Sequence, residues 1–331
     1  MTDDELLDLR LRHLPVRIRG TYLEARIERL YSELEVRGLR FRPHIWLSEE
    51  FFTPDGIPGF AIPFYLTHPR LMRLERRQML EVEGASEGEC MRILRHEAGH
   101  ALDNAFRLHG LRQWKSLFGS FRKPYPTWYR PKPDSHNYVL NLNAWYAQAH
   151  PAEDFAETFA VWLKPGWRWR RRYQGWRALE KLEYVDRLMS RLIGKKPHDA
   201  GRRRVVDPVR DLQMTLGEHY SKKRAFYTID WPIEYDKNLF RIFSSDDRFA
   251  PQPAAATFLS RTRRDLRTAV AQATGMHPYV VDHILTHMIQ RSRLLKLRLV
   301  VPAPQTKEWT IAVLAMLTMQ IVHTGYHRVP L

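Results

Sequence analysis

The chain has 331 residues, 44% apolar and 27% charged, values that exclude a disordered chain, a collagen-like chain and a coiled-coil rod. That length suits about two domains and a real buried core. With 53 Lys or Arg against 37 Asp or Glu the net charge is +16, which favours polyanionic partners, and the single cysteine, Cys90, excludes internal disulfides and Cys₄ or Cys₂His₂ zinc sites.

The N-terminal MTDDELLDLR has neither a basic region nor an apolar stretch, so no secretory signal is expected. The most apolar run, Ile311 to Val322, is too short to span a bilayer. A cytoplasmic protein without a transmembrane segment is the expectation. Residues 21–38 place Leu23, Ile27, Leu30, Tyr31 and Leu34 at helical spacing, with Gly38 as the stop. His44 to Leu47 reads as a short buried strand, Pro54-Asp55-Gly56 as a turn, and Phe60 to Leu66 as a second strand. Pro63 makes that second strand an edge, able to accept an extended peptide by strand addition. Arg73 to Glu83 suits either a strand or a short helix.

Ser86 to Phe106 is a helix with Ser86 at the N-cap and Glu89 completing a capping box. Residues 112–150 carry four prolines and several aromatics and are expected to form a long functional loop. Pro151 opens a further helix that runs to about Leu163. Residues 161–210 hold 15 Lys or Arg and 5 Asp or Glu, within which Trp167-Arg168-Trp169-Arg170-Arg171-Arg172-Tyr173 interleaves arginine with aromatics. Such a pattern suits single-stranded nucleic acid, although arginine stems lying on surface rings are the commoner outcome. Residues 194–208 read as a linker, and helices follow at 258–274, 278–299 and 306–323. His283 and His287 lie four apart, but no Glu follows the first of them.

Two segments carry chemistry. His96-Glu97-Ala98-Gly99-His100 is H-E-x-x-H. On a helix both imidazoles share a face and can reach one metal ion, and Glu97 projects about 100° away, free to take a proton from water. Ala98 and Gly99 are small enough to let another segment pack close. Some fifty residues on, Glu153 and Glu157 share one face of an otherwise apolar helix. Buried unpaired they would be costly; one ligating zinc and one accepting a histidine N–H would satisfy both.

These paired motifs, H-E-A-G-H followed by E-D-F-A-E-T-F-A, resemble a bacterial family of zinc-binding metallopeptidases, zincins whose third ligand is glutamate. The second motif also resembles the E-x-F-A-E segment of the anthrax lethal factor and Pro-Pro endopeptidase group. The resemblance covers roughly residues 40–165. It implies one Zn²⁺ per chain held by His96, His100 and Glu153, with Glu157 in the outer shell. It also implies a tyrosine facing the site seven residues before the ligand Glu, here Tyr146. Glu97 would then be the general base, and Tyr146 would help to stabilise the oxyanion. Asp154 is a weaker ligand candidate. Asp103, three residues after His100, is a candidate to orient it, or a cap.

The expected fold is therefore α+β, with a zincin-like catalytic domain over residues 1–195 and a mostly helical C-terminal region over 205–331. The expected function is zinc-dependent hydrolysis of peptide bonds in a peptide or protein substrate. The alternatives are a nucleic-acid-associated protein with a zinc site, binding through the basic region 161–210, and a small-molecule amidase using the same ligands.

Overall fold

A computed structural model describes residues 2–197, 204–228 and 235–324. The chain divides into two compact units, one of residues 1–78 and 82–220, the other of 79–81 and 221–331. The elements are mostly helices, and two small two-stranded sheets lie among the described residues, an α+β composition.

In the first unit the order is α1 (Asp3–Leu7), α2 (Tyr22–Val36), β1 (His44–Ser48), β2 (Gly59–Pro63), α3 (Pro69–Met79), α4 (Glu87–Phe106), α5 (Arg112–Phe118), α6 (Pro151–Leu163), α7 (Trp169–Arg172) and α8 (Ala178–Leu192). The start of α9 (Leu216–Tyr227) completes it. Thr21 caps α2 by accepting the Leu23 N–H, and the helix buries Leu23, Ile27, Leu30 and Leu34, one stripe at helical spacing. The same face buries Glu33, whose carboxylate takes a two-pronged contact from Arg95 of α4, at 2.7 and 2.8 Å. Ser86 accepts the Glu89 N–H and starts α4.

Residues 73–79 fall in helix α3. β1 and β2 run parallel, with Ile45 opposite Phe60 and Leu47 opposite Ile62. The strand expected to reach Leu66 ends at Pro63, and Phe64–Thr67 turns into a 3₁₀ helix. Every residue from Gly59 to Thr67 is buried, and the Ala61 N–H donates to the Phe52 carbonyl at 2.8 Å. The expectation that this strand offers an open edge to a peptide is therefore corrected: its edge is covered.

The 112–150 segment is less loop-like than its prolines suggest. Trp114 and Phe118, four apart, are buried on one face of α5 and pack on Phe155 of α6, with ring centroids at 5.8 and 5.5 Å. That contact makes a helix of seven residues worthwhile despite the flanking prolines.

The expected linker 194–208 lies partly outside the described residues. Its final part is strapped to β1, where the Trp46 indole donates to the Val206 carbonyl at 2.9 Å and the Ser48 hydroxyl to that of Asp207 at 2.5 Å. Residues 212–216 are likewise tied to residues 9–12 by backbone hydrogen bonds, Leu11 N–H to Met214 and Leu216 N–H to Leu9 among them. Backbone pairing, invisible in composition, thus carries the first unit to Tyr220, beyond the boundary of 195–205 expected from sequence.

The second unit contains α10 (Tyr235–Leu239), β3 (Phe243–Ser244), α11 (Ala255–Thr274), α12 (Pro278–Leu294), β4 (Arg298–Leu299) and α13 (Ala303–Thr324). It has its own apolar core, including Leu259, Leu266, Val281, Leu285, Met288, Leu314 and Ile321. Gly275 ends α11 in the left-handed conformation, and His277 caps α12 by accepting the Tyr279 N–H. The helix expected over 278–299 stops at Leu294, because Arg298 and Leu299 pair antiparallel with β3. No helix among the described residues is long and apolar enough to cross a membrane.

Candidate metal centre

Helices α4 and α6 bring the two motifs together, and their close approach depends on Gly99. A Cβ there would lie 3.0 Å from the Ala156 Cα and 3.2 Å from the Phe159 ring, nearer than ordinary carbon contacts of about 3.5–4.0 Å. Across this contact three ligand-type atoms converge. His96 Nε2 lies 3.1 Å from His100 Nε2 and 3.0 Å from Glu153 Oε2, and His100 Nε2 lies 3.1 Å from the same oxygen.

The orientation of His96 is set from behind. Its Nδ1–H donates to Glu157 Oε1 at 2.8 Å, because a carboxylate only accepts, and this leaves the Nε2 lone pair facing the cluster. Glu157 is fully buried and also accepts from the Asn141 amide and the Leu142 N–H, each at 2.8 Å. Glu153 Oε1 accepts the Tyr125 hydroxyl at 2.8 Å, and the Tyr125 ring stacks 3.9 Å above His150. His150 in turn caps α6, with Nδ1 accepting the Ala152 N–H and Nε2–H donating to the Lys123 carbonyl.

The electrostatics ask for a cation. Burial resists charge on His96, but Glu153 and Glu157 outweigh it and hold its pKa well above the ordinary histidine value. His100 is raised in the same way, against burial, by Glu153. Burial also resists charge on Glu153, yet His100 and His96 keep its carboxyl well below the usual range. Three converging lone-pair atoms beside two further buried carboxylates, Glu97 and Glu157, form a donor set suited to a divalent metal, and N/N/O ligation is a zinc pattern.

Glu97 is buried, and Oε2 accepts the Thr53 hydroxyl at 2.7 Å. Burial pushes its pKa up, against the pull of His96 and His100. The Tyr146 ring lies 5.6 Å from that of His96, and burial, with Glu153 and Glu97 nearby, keeps its phenol protonated. It follows two successive left-handed residues, Ala144 (φ 57°) and Trp145 (φ 54°). Non-glycine residues adopt this conformation at a cost of roughly 1–2 kcal/mol each, so the surroundings must hold it. Glu157 does so through Asn141 and Leu142, and Tyr129 does so by donating to the Ala144 carbonyl at 2.6 Å.

Other candidates lie elsewhere. Both oxygens of Asp103 are engaged by His109, through its N–H at 2.7 Å and Nδ1 at 3.0 Å, so Asp103 secures the end of α4 and does not orient His100. Asp154 points away from the cluster to Lys181 Nζ at 2.6 Å, and burial raises its pKa to about 7 despite that partner. The His283 and His287 rings lie 4.7 Å apart and tilted by 51°, and no third ligand joins them among the described residues. In the basic stretch, Trp169 and Tyr173 are buried, and Arg170 pairs with Asp186 at 2.6 Å, so these rings do not form an open stacking platform. Thr53, Asn141 and Tyr125 are site residues that sequence reasoning missed; only the aromatic density around Tyr125 hinted at one of them.

Residues 76–165 match a family described as "Putative zinc-binding metallo-peptidase". The matched stretch, roughly a quarter of the chain, holds both motifs and supports the resemblance to that family. No curated protein and no solved structure matches the chain.

Proposed function

We propose that the first unit is a zincin-like metallopeptidase domain that hydrolyses peptide bonds with one Zn²⁺ held by His96, His100 and Glu153. The observation that carries this reading is the convergence of those three ligand atoms within 3.0–3.1 Å of one another. The family match supports it through its peptidase description. When bound, the ion supplies Lewis acidity.

The chain's own residues do the rest. Glu157 holds His96 by Nδ1, and Tyr125 holds Glu153 by Oε1, so the donor atoms are oriented in advance. Glu97, with Oε2 anchored on Thr53, accepts a proton from the attacking water and returns it to the leaving amine. The Tyr146 phenol donates a hydrogen bond to the oxyanion that develops on the scissile carbonyl.

The test is zinc content and peptide-library cleavage in substituted proteins. His96→Ala and His100→Ala should each lose zinc. Glu97→Gln should keep zinc and lose activity by roughly 10²–10⁴-fold. Normal zinc content in both histidine variants would overturn the site, and undiminished cleavage by Glu97→Gln would overturn the role of the base.

A further inference from the structure

We propose that the second unit binds a small oligophosphate-bearing ligand in a cavity of about 520 Å³ between the N-terminus of α11 and the end of α12. The zinc chemistry does not involve this cavity. Arg261, Arg293, Lys296 and Arg298 all line it, and no Asp or Glu does.

The contrast with other arginines of the same unit is informative. Arg263 and Arg267 pair with Asp282, Arg291 with Asp236, and Arg248 with Asp246. Arg261, Arg293 and Lys296 are exposed, with no carboxylate partner among the described residues. Arg298 spends one nitrogen on the Gln252 carbonyl at 3.3 Å. Four cations lining one concavity with no carboxylate among the lining residues make the local potential positive and favour an anion there.

Two further features point the same way. α11 is a 20-residue helix whose N-cap, Ala254, supplies no side-chain acceptor. The Ala255 N–H reaches the Leu297 carbonyl and the Phe258 N–H reaches that of Ala254, while Ala256 and Thr257, between them, line the cavity. Free N–H groups in the first turn of a helix favour phosphate oxygens. Independently, Ser292 lines the cavity at 1% exposure with a hydroxyl that has no hydrogen-bond partner among the described residues. Other helical hydroxyls of this unit, such as Thr262, Thr274 and Thr310, bond back to the carbonyl one turn earlier. A buried hydroxyl left open is costly, and an acceptor entering the cavity would satisfy it.

The cavity volume lies within the roughly 300–1,000 Å³ range of small-molecule sites. Four cations around a concavity match a di- or triphosphate group. A nucleic-acid strand would instead call for cations along a groove with exposed aromatic platforms.

The test is calorimetric titration of the full chain with inorganic pyrophosphate, ATP and a 12-nucleotide single-stranded DNA. Pyrophosphate and ATP should bind one per chain and compete with each other. Equal affinities would assign binding to the phosphates alone, and tighter ATP would add a contribution from the nucleoside; both support the site. Arg261→Ala and Arg293→Ala should each weaken binding roughly tenfold or more, as loss of a charge-assisted contact does, without changing the melting temperature. Ser292→Ala should weaken it less. The proposal is overturned if neither phosphate compound binds at millimolar concentration, if both arginine variants bind like the parent, or if the DNA binds and ATP does not displace it.

Discussion

Gly99→Ala probes the geometry of the metal centre through a residue that is not itself a ligand. The added methyl carbon would sit 3.0 Å from the Ala156 Cα, 3.2 Å from Phe159 Cδ1 and 3.3 Å from the Ala156 carbonyl oxygen. Two of those three neighbours are backbone and cannot rotate away. Restoring ordinary contact requires α4 and α6 to separate by about 0.5–1 Å. Overpacking of this kind costs about 1–3 kcal/mol, offset by about 1 kcal/mol from the better helix propensity of alanine, a net loss of about 0–2 kcal/mol. At roughly 2–4 °C per kcal/mol for a domain of this size, the metal-free melting temperature should fall by up to about 8 °C.

The larger effect should be on zinc. His96 and His100 stand on α4 and Glu153 on α6, so separating the helices pulls the donor triangle apart. Sites of this kind tolerate only about 0.5 Å of displacement. Zinc affinity should therefore drop roughly 10–100-fold, as when an outer hydrogen-bond partner is lost. Competition against a chromogenic chelator measures the affinity, and calorimetry in excess chelator measures the metal-free melt. Parental zinc affinity in Gly99→Ala would refute the idea that this helix contact sets the ligand geometry.

Other perturbations separate the supporting parts. Glu33→Ala strands Arg95, whose side chain is 5% exposed, and should lower stability by about 3–5 kcal/mol in urea denaturation; a loss under about 1 kcal/mol would show that the pair contributes little. Tyr125→Phe removes the hydroxyl on Glu153 Oε1 and should weaken zinc binding by roughly 10–100-fold. Tyr146→Phe should instead keep zinc and lower kcat roughly 10²–10³-fold with little change in KM. Zinc loss in Tyr146→Phe, or unchanged kcat, would remove it from the oxyanion role. Tyr129 is already committed to the Ala144 carbonyl, and the Tyr138 ring lies under Lys181 Nζ, so neither is a ready substitute.

The sequence by itself determined the helices that matter and the residues on their faces. H-E-x-x-H puts His96 and His100 on one side of α4 through the 3.6-residue repeat alone. Pro151 and the apolar stripe delimit α6 with Glu153 and Glu157 one turn apart. These are local consequences of helical geometry and need no knowledge of the rest of the chain. The choice of Glu153 over Glu157 as the atom beside the histidines was not local; helix geometry leaves it open, and in the sequence only the family resemblance implied it. It follows from the packing of Gly99 on Ala156, which sets the register of α6 against α4. Tertiary structure alone likewise turned Asp154 onto Lys181 and covered the edge of β2, whereas Asp103 took the cap-like alternative through His109, six residues on. It also brought Thr53 and Tyr125 to the site, from segments 44 residues before Glu97 and 28 before Glu153. The cavity of the second unit has the same origin. Arg261 and Arg293 are ordinary surface cations in the sequence, and only the meeting of the α11 N-terminus with the end of α12 gathers them. Helical periodicity is written residue by residue, whereas contacts between segments depend on packing that no single stretch of sequence specifies.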